Sequence, residues 1–239
     1  MQKVISWAAA AVLASISAGV AANEATVKAE LQKKYPEIVV ETVSKSPVPG
    51  IYEVFAQGQM IYTDEKAAYL FVNANLIDTE KKSNLTEERM SKLTAIKFDQ
   101  LPLNLALKKV KGKGTRKLAY FGDPNCGYCK RLRQTTLKDM DNVTIYTFLY
   151  NILSPDSFEK SKNVWCSPDR AKAWDDWMIN GKPAPAAPAN CETPNEKVIA
   201  LGQKLHITGT PAIFFSDGTR IPGAVDQKTL EAKLASLKQ

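Results

Sequence analysis

The sequence is poor in the residue types that build most hydrolytic and metal sites. Its 239 residues contain a single histidine, His206, and only four cysteines. A cysteine hydrolase needs a histidine beside its nucleophile and a third residue that orients this histidine. One histidine at a predicted helix end is weak support for that class. We therefore discount a hydrolase, and we expect no metal and no cofactor.

Long apolar runs are also scarce, because no stretch beyond residue 22 is long and apolar enough to span a bilayer. The first 22 residues have the layout of a secretory signal. Lys3 lies near the start, residues 4–17 form an Ala-rich apolar stretch, and small residues lead to Ala22. We predict cleavage near Ala22, export to a compartment in which disulfides persist, and no stable membrane insertion afterwards. An uncleaved anchor is disfavoured by the weak hydrophobicity of this stretch.

The chain has no concentrated patch of one charge. Its 32 basic and 25 acidic residues give a net charge of +7, and removing a leader that contains Lys3 and no acid leaves +6. The excess is spread along the chain, with only short clusters such as Lys108 and Lys109. No basic stripe alternates with aromatic residues, so we do not expect nucleic acid as a partner.

The most informative motif is a C-x-x-C pair, Cys126 and Cys129, which follows a predicted buried strand over residues 118–121. A turn of Gly, Asp, Pro and Asn separates that strand from a helical sequence. Both thiols therefore lie on one side of a helix start, close enough to bond. The helix dipole, with Lys130 and Arg131 nearby, stabilises a thiolate at Cys126, whereas the negative charge of Asp123 opposes it. We predict a redox site with Cys126 as nucleophile and the more buried Cys129 as resolving thiol.

Three other kinds of site use the same spacing. Zinc would need two further ligands, and Cys166 and Cys191 form no second C-x-x-C. Covalent haem attachment needs a histidine directly after the second cysteine, where this chain has Lys130. A purely structural bridge over so short a loop removes little entropy from the unfolded chain. Zinc and the structural bridge stay open as the less favoured interpretations.

The remaining cysteines, Cys166 and Cys191, are predicted to form a structural disulfide. Such a bridge closes a loop of about 25 residues and contributes roughly 3 kcal/mol in the chain-entropy model. A second redox pair is less favoured, because neither residue belongs to a C-x-x-C.

The patterns predict an α+β protein in four parts: a signal peptide (1–22), a small N-terminal antiparallel-sheet domain (23–83), a linker helix (84–110) and an α/β domain with a helical insertion (111–239). In the N-terminal domain, β-rich segments alternate with turns, and no catalytic residue types occur. A unit of about sixty residues buries little surface on its own. Strand edges are normally hidden, so pairing with a second copy is expected there. Asn84 is the predicted N-cap of the linker helix, whose helical spacing continues to about Leu101.

The C-terminal part has the order of a thioredoxin-type domain. A strand, the C-x-x-C helix to about Met140 and a second strand over 143–150 are followed by a helical insertion, a helix over 194–205, a hairpin and a last helix capped by Asp226. The insertion holds three tryptophans, which we expect mainly in its core: Trp165, Trp174 and Trp177.

A Thr210–Pro211 pair precedes the predicted hairpin. The resemblance to thioredoxin-type domains implies that this position holds a proline with a cis peptide bond, packed beside the C-x-x-C. A proline donates no hydrogen bond, and neighbouring backbone groups stay free to pair with an extended substrate. The alternative is an ordinary edge proline, since sequence alone does not show a cis bond.

The chain as a whole resembles the DsbC/DsbG family of bacterial periplasmic thiol:disulfide interchange proteins. The resemblance covers nearly the whole mature chain, and its specific marks are Gly127-Tyr128 between the cysteines, Trp165-Cys166 with Cys191, Gly209-Thr210-Pro211-Ala212 and Ser216-Asp217-Gly218-Thr219. It implies catalytic roles for Cys126 and Cys129, substrate contacts at Gly127, Tyr128, Thr210 and Pro211, and a structural Cys166–Cys191 disulfide. It also implies a periplasmic homodimer joined through the N-terminal domains, kept reduced by the membrane protein DsbD.

The function that this resemblance implies is isomerisation and reduction of wrong disulfides in misfolded exported proteins, with chaperone activity. Two alternatives stay open. One is a DsbG-like reductase of sulfenylated cysteines, which would use the same thiolate. The other is a binding protein that shields unfolded chains, for which the cysteines would be dispensable.

Overall fold

The computed structural model describes residues 23–237, so the predicted signal peptide lies outside the described residues. The N-terminal part begins with helix α1 (Glu24–Lys34), whose cap Asn23 accepts a hydrogen bond from the backbone of Thr26. Val27 and Leu31 recur on one face of α1 and are buried. They pack on an antiparallel sheet of four strands in sequential order: β1 (Val40–Lys45), β2 (Ile51–Ala56), β3 (Gln59–Asp64) and β4 (Leu70–Phe71). The predicted small meander with one helix is confirmed.

The segment that joins the two domains is less helical than predicted. A short pair of strands, β5 (Ile77–Asp78) and β6 (Ser83–Asn84), leads into helix α2 (Leu85–Leu93). Asn84 caps α2 as predicted, because its side chain accepts from the Glu87 backbone. The helix does not reach Leu101. The backbone N–H of Ile96 instead pairs with the carbonyl of Gly218 in the C-terminal domain, at 2.9 Å. Two short 3₁₀ turns, Phe98–Gln100 and Leu103–Leu105, complete the segment.

The C-terminal domain is built on a five-stranded sheet in the order β11-β10-β8-β9-β7. Strands β8 (Arg116–Gly122) and β9 (Val143–Leu149) are parallel and form its centre. Strands β10 (Ala212–Phe215) and β11 (Arg220–Pro222) form the predicted hairpin, and β10 pairs antiparallel with β8. The thioredoxin-type order is confirmed.

Strand β7 (Leu107–Lys111) pairs antiparallel with β9 and was not expected. Its Leu-Lys-Lys-Val-Lys sequence is typical of a solvated cluster of charges and not of a strand. Two lysines have partners nonetheless, since Lys109 pairs with Asp175 and Lys111 donates to the Leu137 carbonyl. The sheet therefore begins before residue 111, the predicted start of this domain.

Helices cover both faces of the sheet, and alternate residues of its strands enter two separate cores. Phe121, Phe148 and Phe214 face one side, where the first two rings stack with centroids 4.6 Å apart. Leu118 and Ile145 face the other side. The helices are α3 (Gly127–Arg131), α4 (Asp156–Trp165), α5 (Arg170–Asn180), α6 (Asn195–Lys204) and α7 (Gln227–Ser236). Asp226 caps α7 as predicted.

The C-x-x-C helix is shorter than expected. Helix α3 continues only as a π-helical turn, Leu132–Thr136, and does not reach Met140. The insertion consists of α4, α5 and the loop after them, and a disulfide joins Cys166 at the end of α4 to Cys191 in that loop. Trp165 and Trp174 are buried core residues, whereas Trp177 is half-buried.

Candidate active site

The two cysteines of the C-x-x-C lie where β8 ends and α3 begins. Cys126 is the N-cap residue of α3, and its backbone N–H donates to the carbonyl of Asp123 at 3.0 Å. The Cys126 sulfur accepts a hydrogen bond from the backbone N–H of Cys129, 3.1 Å away. Both residues are free thiols in this structure. Because Cys126 is the N-cap residue, its sulfur accepts from a backbone N–H of the first turn that has no partner within the helix.

Hydrogen bonds to the Cys126 sulfur lower the pKa of this thiol to about 6, from a usual value of 9.0. The largest cause is the hydrogen bond that the Cys129 thiol donates to the sulfur. Burial opposes this effect, and weaker contributions come from the side chain of Thr210 and the backbone of Cys129 and Tyr128. At neutral pH, Cys126 is therefore mostly thiolate. The predicted influence of Lys130 and Arg131 is not among these main causes.

Cys129 has the opposite character. It is fully buried, and burial is the largest cause that raises its pKa, followed by its hydrogen bond to Cys126. Cys126 retains slight exposure at the surface. The pair therefore consists of one outer thiolate and one inner thiol, as a nucleophile and a resolving residue require.

The Thr210–Pro211 turn lies directly against the nucleophile. Its peptide bond is cis, and the Cys126 sulfur is 3.2 Å from the carbonyl oxygen of Thr210. On the outer side, Tyr128 is 66% exposed, and Gly127 is exposed as well. Gly127 and Tyr128 thus lie on the surface next to Cys126, and the Thr210 carbonyl lies against its sulfur. Pro211 follows in the same turn and is buried. The roles of all four residues stay predictions.

Sequence reasoning missed the part played by Asp123. It was expected only to oppose a thiolate through its charge, yet it is fully buried and accepts four hydrogen bonds. One carboxylate oxygen accepts from the Asn125 backbone and the Ser157 hydroxyl, at 2.7 and 2.8 Å. The other accepts from the backbone N–H groups of Ile152 and Leu153, at 2.9 and 3.1 Å. Asp123 thereby fastens the turn before Cys126 to the segment that follows β9.

Trp177 closes one flank of the same turn. Its indole N–H donates to the carbonyl of Pro124 at 2.7 Å. The ammonium groups of Lys130 and Lys160 lie 4.6 and 5.1 Å from its ring centroid. Lys130 is thus engaged by the indole face. Trp177 belongs to the edge of the active site as much as to the core of the insertion.

A buried polar cluster lies behind Cys129 and was also missed. The Tyr120 hydroxyl accepts a 2.6 Å hydrogen bond from the Trp174 indole, and burial raises the pKa of Tyr120 to about 12. Arg133, four residues after Cys129, forms a buried ion pair with Asp175 of α5. The only signal in the sequence is this spacing, which places Arg133 one helical turn beyond a buried residue.

His206 contacts the other domain. Its ring lies 3.8 Å from a carboxylate oxygen of Glu41 and edge-on to Phe55, both in the N-terminal sheet. Over residues 23–237, no three histidine, cysteine or acidic side chains are grouped so that they could hold a metal ion. Within the same range, no helix has the length and apolar character needed to cross a membrane.

Both halves of the chain match known families. A family described as the disulfide bond isomerase protein N-terminal domain matches residues 18–87. A thioredoxin-like domain family matches residues 103–238, which is more than half of the chain. These two matches fall on the two domains that the structure describes.

Relatives named as thiol:disulfide interchange proteins align over most of the chain. The probable thiol:disulfide interchange protein DsbC of Bordetella parapertussis is 47% identical over 208 residues, 87% of this chain and 73% of the relative. The DsbC protein of Escherichia coli K12 is 27% identical over 226 residues, 92% of this chain and 90% of the relative. Among solved structures, a disulfide interchange protein from Neisseria gonorrhoeae superimposes with a TM-score of 0.54 and 38% identity, covering 58% of this chain and 99% of the other.

Proposed function

The chain belongs to the DsbC family of thiol:disulfide interchange proteins, and on this premise we propose that it reshuffles and reduces wrong disulfides in exported proteins through Cys126 and Cys129. The observation that carries the proposal is the asymmetry of the pair. Cys126 is the more exposed of the two thiols, at 4% against 0%, and has a pKa of about 6, whereas Cys129 behind it stays protonated because it is buried.

In the proposed reaction, the Cys126 thiolate attacks one sulfur of a substrate disulfide. A mixed disulfide forms, and the other substrate sulfur leaves as a thiolate. This thiolate, or another of the substrate, then attacks a different sulfur, and Cys126 is finally released as a thiolate again. The sequence moves disulfides without net oxidation or reduction. The Thr210–Pro211 turn and Gly127-Tyr128 flank the attacking sulfur and would contact the substrate chain.

Reduction is the second outcome of the same intermediate. Cys129 gives up its proton, attacks the Cys126 sulfur and releases the substrate as a dithiol, while Cys126 and Cys129 become a disulfide. A further turnover then needs a dithiol donor, for which we propose the membrane reductant DsbD. This requirement fits a protein exported to the periplasm, as the leader-like residues 1–22 predict.

Trapping of the mixed disulfide tests these roles. Cys129→Ala keeps the attacking thiol but lacks its resolver, so it should accumulate covalent adducts with exported proteins on non-reducing gels. Cys126→Ala should form none. Equal trapping by both variants would refute the order of attack.

The same variants separate the alternative functions. If the protein is mainly a sulfenic-acid reductase, Cys126→Ser should lose activity on sulfenylated single cysteines. The wild type should then react faster with sulfenylated cysteines than with cystine substrates when the two rates are compared directly. A protein that acts mainly by shielding unfolded chains would suppress aggregation equally well with Cys126→Ser.

We further propose a homodimer formed through the N-terminal sheet. Its last strand, β4, is an edge strand, and Tyr69, Phe71 and Val72 at this edge are 72%, 50% and 53% exposed. Apolar side chains along an unpaired edge favour pairing with another chain. Phe71→Asp should therefore convert the protein to monomers in sedimentation and reduce isomerisation of scrambled proteins. Val48→Asp, at an exposed turn of the same domain, is the matched control. A protein whose sedimentation is unaffected by Phe71→Asp would contradict this interface.

A further inference from the structure

Exposed apolar side chains of the described C-terminal domain are concentrated around the nucleophile. Five large apolar residues between 103 and 237 are exposed, and four of them belong to the C-x-x-C or to the segment fastened to it. The five are Val110, Tyr128, Ile152, Leu153 and Phe158. Only Val110, on the edge strand β7, lies elsewhere. Such a concentration at the one reactive sulfur marks a contact surface rather than random exposure.

Three of these residues form a continuous surface, here called the apolar ledge: Ile152, Leu153 and Phe158. They are 37%, 52% and 40% exposed and line a shallow depression together with Pro155. The ledge comes from the loop after β9 and the first turn of α4.

Asp123 fixes the ledge relative to Cys126. Its carboxylate accepts from the backbone N–H groups of Ile152 and Leu153, while its own carbonyl accepts from the backbone N–H of Cys126. Ser157, next to Phe158, bonds the same carboxylate at 2.8 Å. The ledge and the nucleophile are therefore held by one buried residue, and their separation does not depend on the mobility of a free loop.

We propose that the apolar ledge binds an apolar side chain close to the cysteine of the disulfide that Cys126 attacks. This inference rests on the proposed function. An extended chain advances about 3.4 Å per residue, so a side chain two or so residues from the attacked cysteine reaches a surface beside Cys126. The occupant is an extended segment of an exported protein. In a correctly folded protein the apolar neighbours of a cystine are buried, and in a misfolded one they are exposed. The ledge thus favours wrong disulfides over correct ones.

The test uses the full mature protein, reduced, and two synthetic peptides that differ only in a Leu or Ser two residues from their single cysteine. Each peptide is supplied as its mixed disulfide with glutathione. Attack by Cys126 forms the Cys126–peptide disulfide and releases glutathione thiolate, which is measured. The wild type should react with the Leu peptide about five- to tenfold faster, from partial burial of one leucine.

In the variant Leu153→Ser, the ratio of the rate with the Leu peptide to the rate with the Ser peptide should fall close to one. The backbone N–H that Asp123 holds is kept, and the side chain removed is half exposed, so the fold is retained. Phe158→Ser gives a second, independent variant. Val110→Ser, with the same 52% exposure as Leu153, is the matched control and should keep the wild-type ratio.

Every outcome of this experiment either supports or overturns the role of the apolar ledge. A wild-type ratio near one overturns the ledge while the proposed function stands, because Cys126 then reacts equally with both peptides. A wild-type ratio unchanged in Leu153→Ser and Phe158→Ser overturns it too, since the preference then arises elsewhere. If Leu153→Ser changes the oligomeric state in sedimentation, the ledge is a contact between copies and the proposal is wrong. If Cys126 reacts with neither peptide, the proposed function itself fails.

Discussion

The reduced protein should lose stability as the pH falls through about 6, with Cys126 as the cause. The pKa of Cys126 is about 6 in the folded chain, against a usual 9.0, mainly because the Cys129 thiol donates a hydrogen bond to its sulfur. A group whose pKa is lowered by folding contributes stability that is fully present above the unfolded pKa. That stability is lost as the pH falls through the folded pKa. The affected window therefore runs from about 9 down to about 6.

The size of the effect follows from the shift. Three pKa units correspond to about 4 kcal/mol when the thiol is ionised in both the folded and the unfolded state. Between pH 6 and pH 8, the contribution of Cys126 to the free energy of unfolding rises by about 2 kcal/mol. Cys129 does not disturb this range. Its pKa is raised by burial, so it stays protonated in the folded state and contributes to pH dependence only where unfolded thiols ionise.

Urea unfolding of the reduced protein at pH 6 and pH 8 measures this difference directly. The free energy of unfolding of the wild type should rise by about 2 kcal/mol more than that of Cys126→Ser over this interval. Alkylation of Cys126 should follow the same transition, with a midpoint near pH 6. Cys129→Ala removes the main donor and should move that midpoint upwards, whereas Cys129→Ser keeps a donor and should move it less. A midpoint that Cys129→Ala leaves unchanged would refute the assigned cause.

Two further predictions concern the framework of the site. Asp175→Ala leaves Arg133 buried without its ion-pair partner and should lower the free energy of unfolding by about 3–5 kcal/mol. Lys109→Ala, which removes the more exposed partner of the same carboxylate, should cost at most about 1 kcal/mol, and similar losses in urea unfolding would contradict this ranking. Replacing both Cys166 and Cys191 by Ala opens a loop with a separation of 25 residues and should cost about 3 kcal/mol. A double variant as stable as the wild type would contradict the chain-entropy argument.

The features that were predictable from sequence are those decided by neighbours along the chain. The cap position of Cys126 follows from a turn and a helix start within a few residues, and the caps Asn84 and Asp226 are equally local. The end of α2 at Leu93 was not predictable, because Ile96 leaves the helical pattern to pair with a carbonyl more than a hundred residues away. Periodicity alone carries no information about such a partner.

The same limit explains why the surroundings of the nucleophile were only partly predicted. Apart from the Asn125 backbone, the donors to the Asp123 carboxylate lie 29 to 34 residues further along the chain. A single acidic residue before a C-x-x-C was therefore assigned an electrostatic effect instead of a structural one. Strand β7 was missed because three lysines in five residues conceal an edge strand whose only buried side chain is Leu107.

The asymmetry of the two cysteines also bears on which reaction the site favours. Once Cys126 is joined to a substrate, two thiols compete for the mixed disulfide. Attack by Cys129 requires a thiolate that burial disfavours, whereas an exposed substrate thiol meets no such penalty and is partly ionised at neutral pH. The best leaving group in the mixed disulfide is Cys126, because its pKa of about 6 is the lowest. Under the proposed function, we therefore expect the substrate's own thiols to displace Cys126 before Cys129 reduces the substrate, so that rearrangement outpaces net reduction.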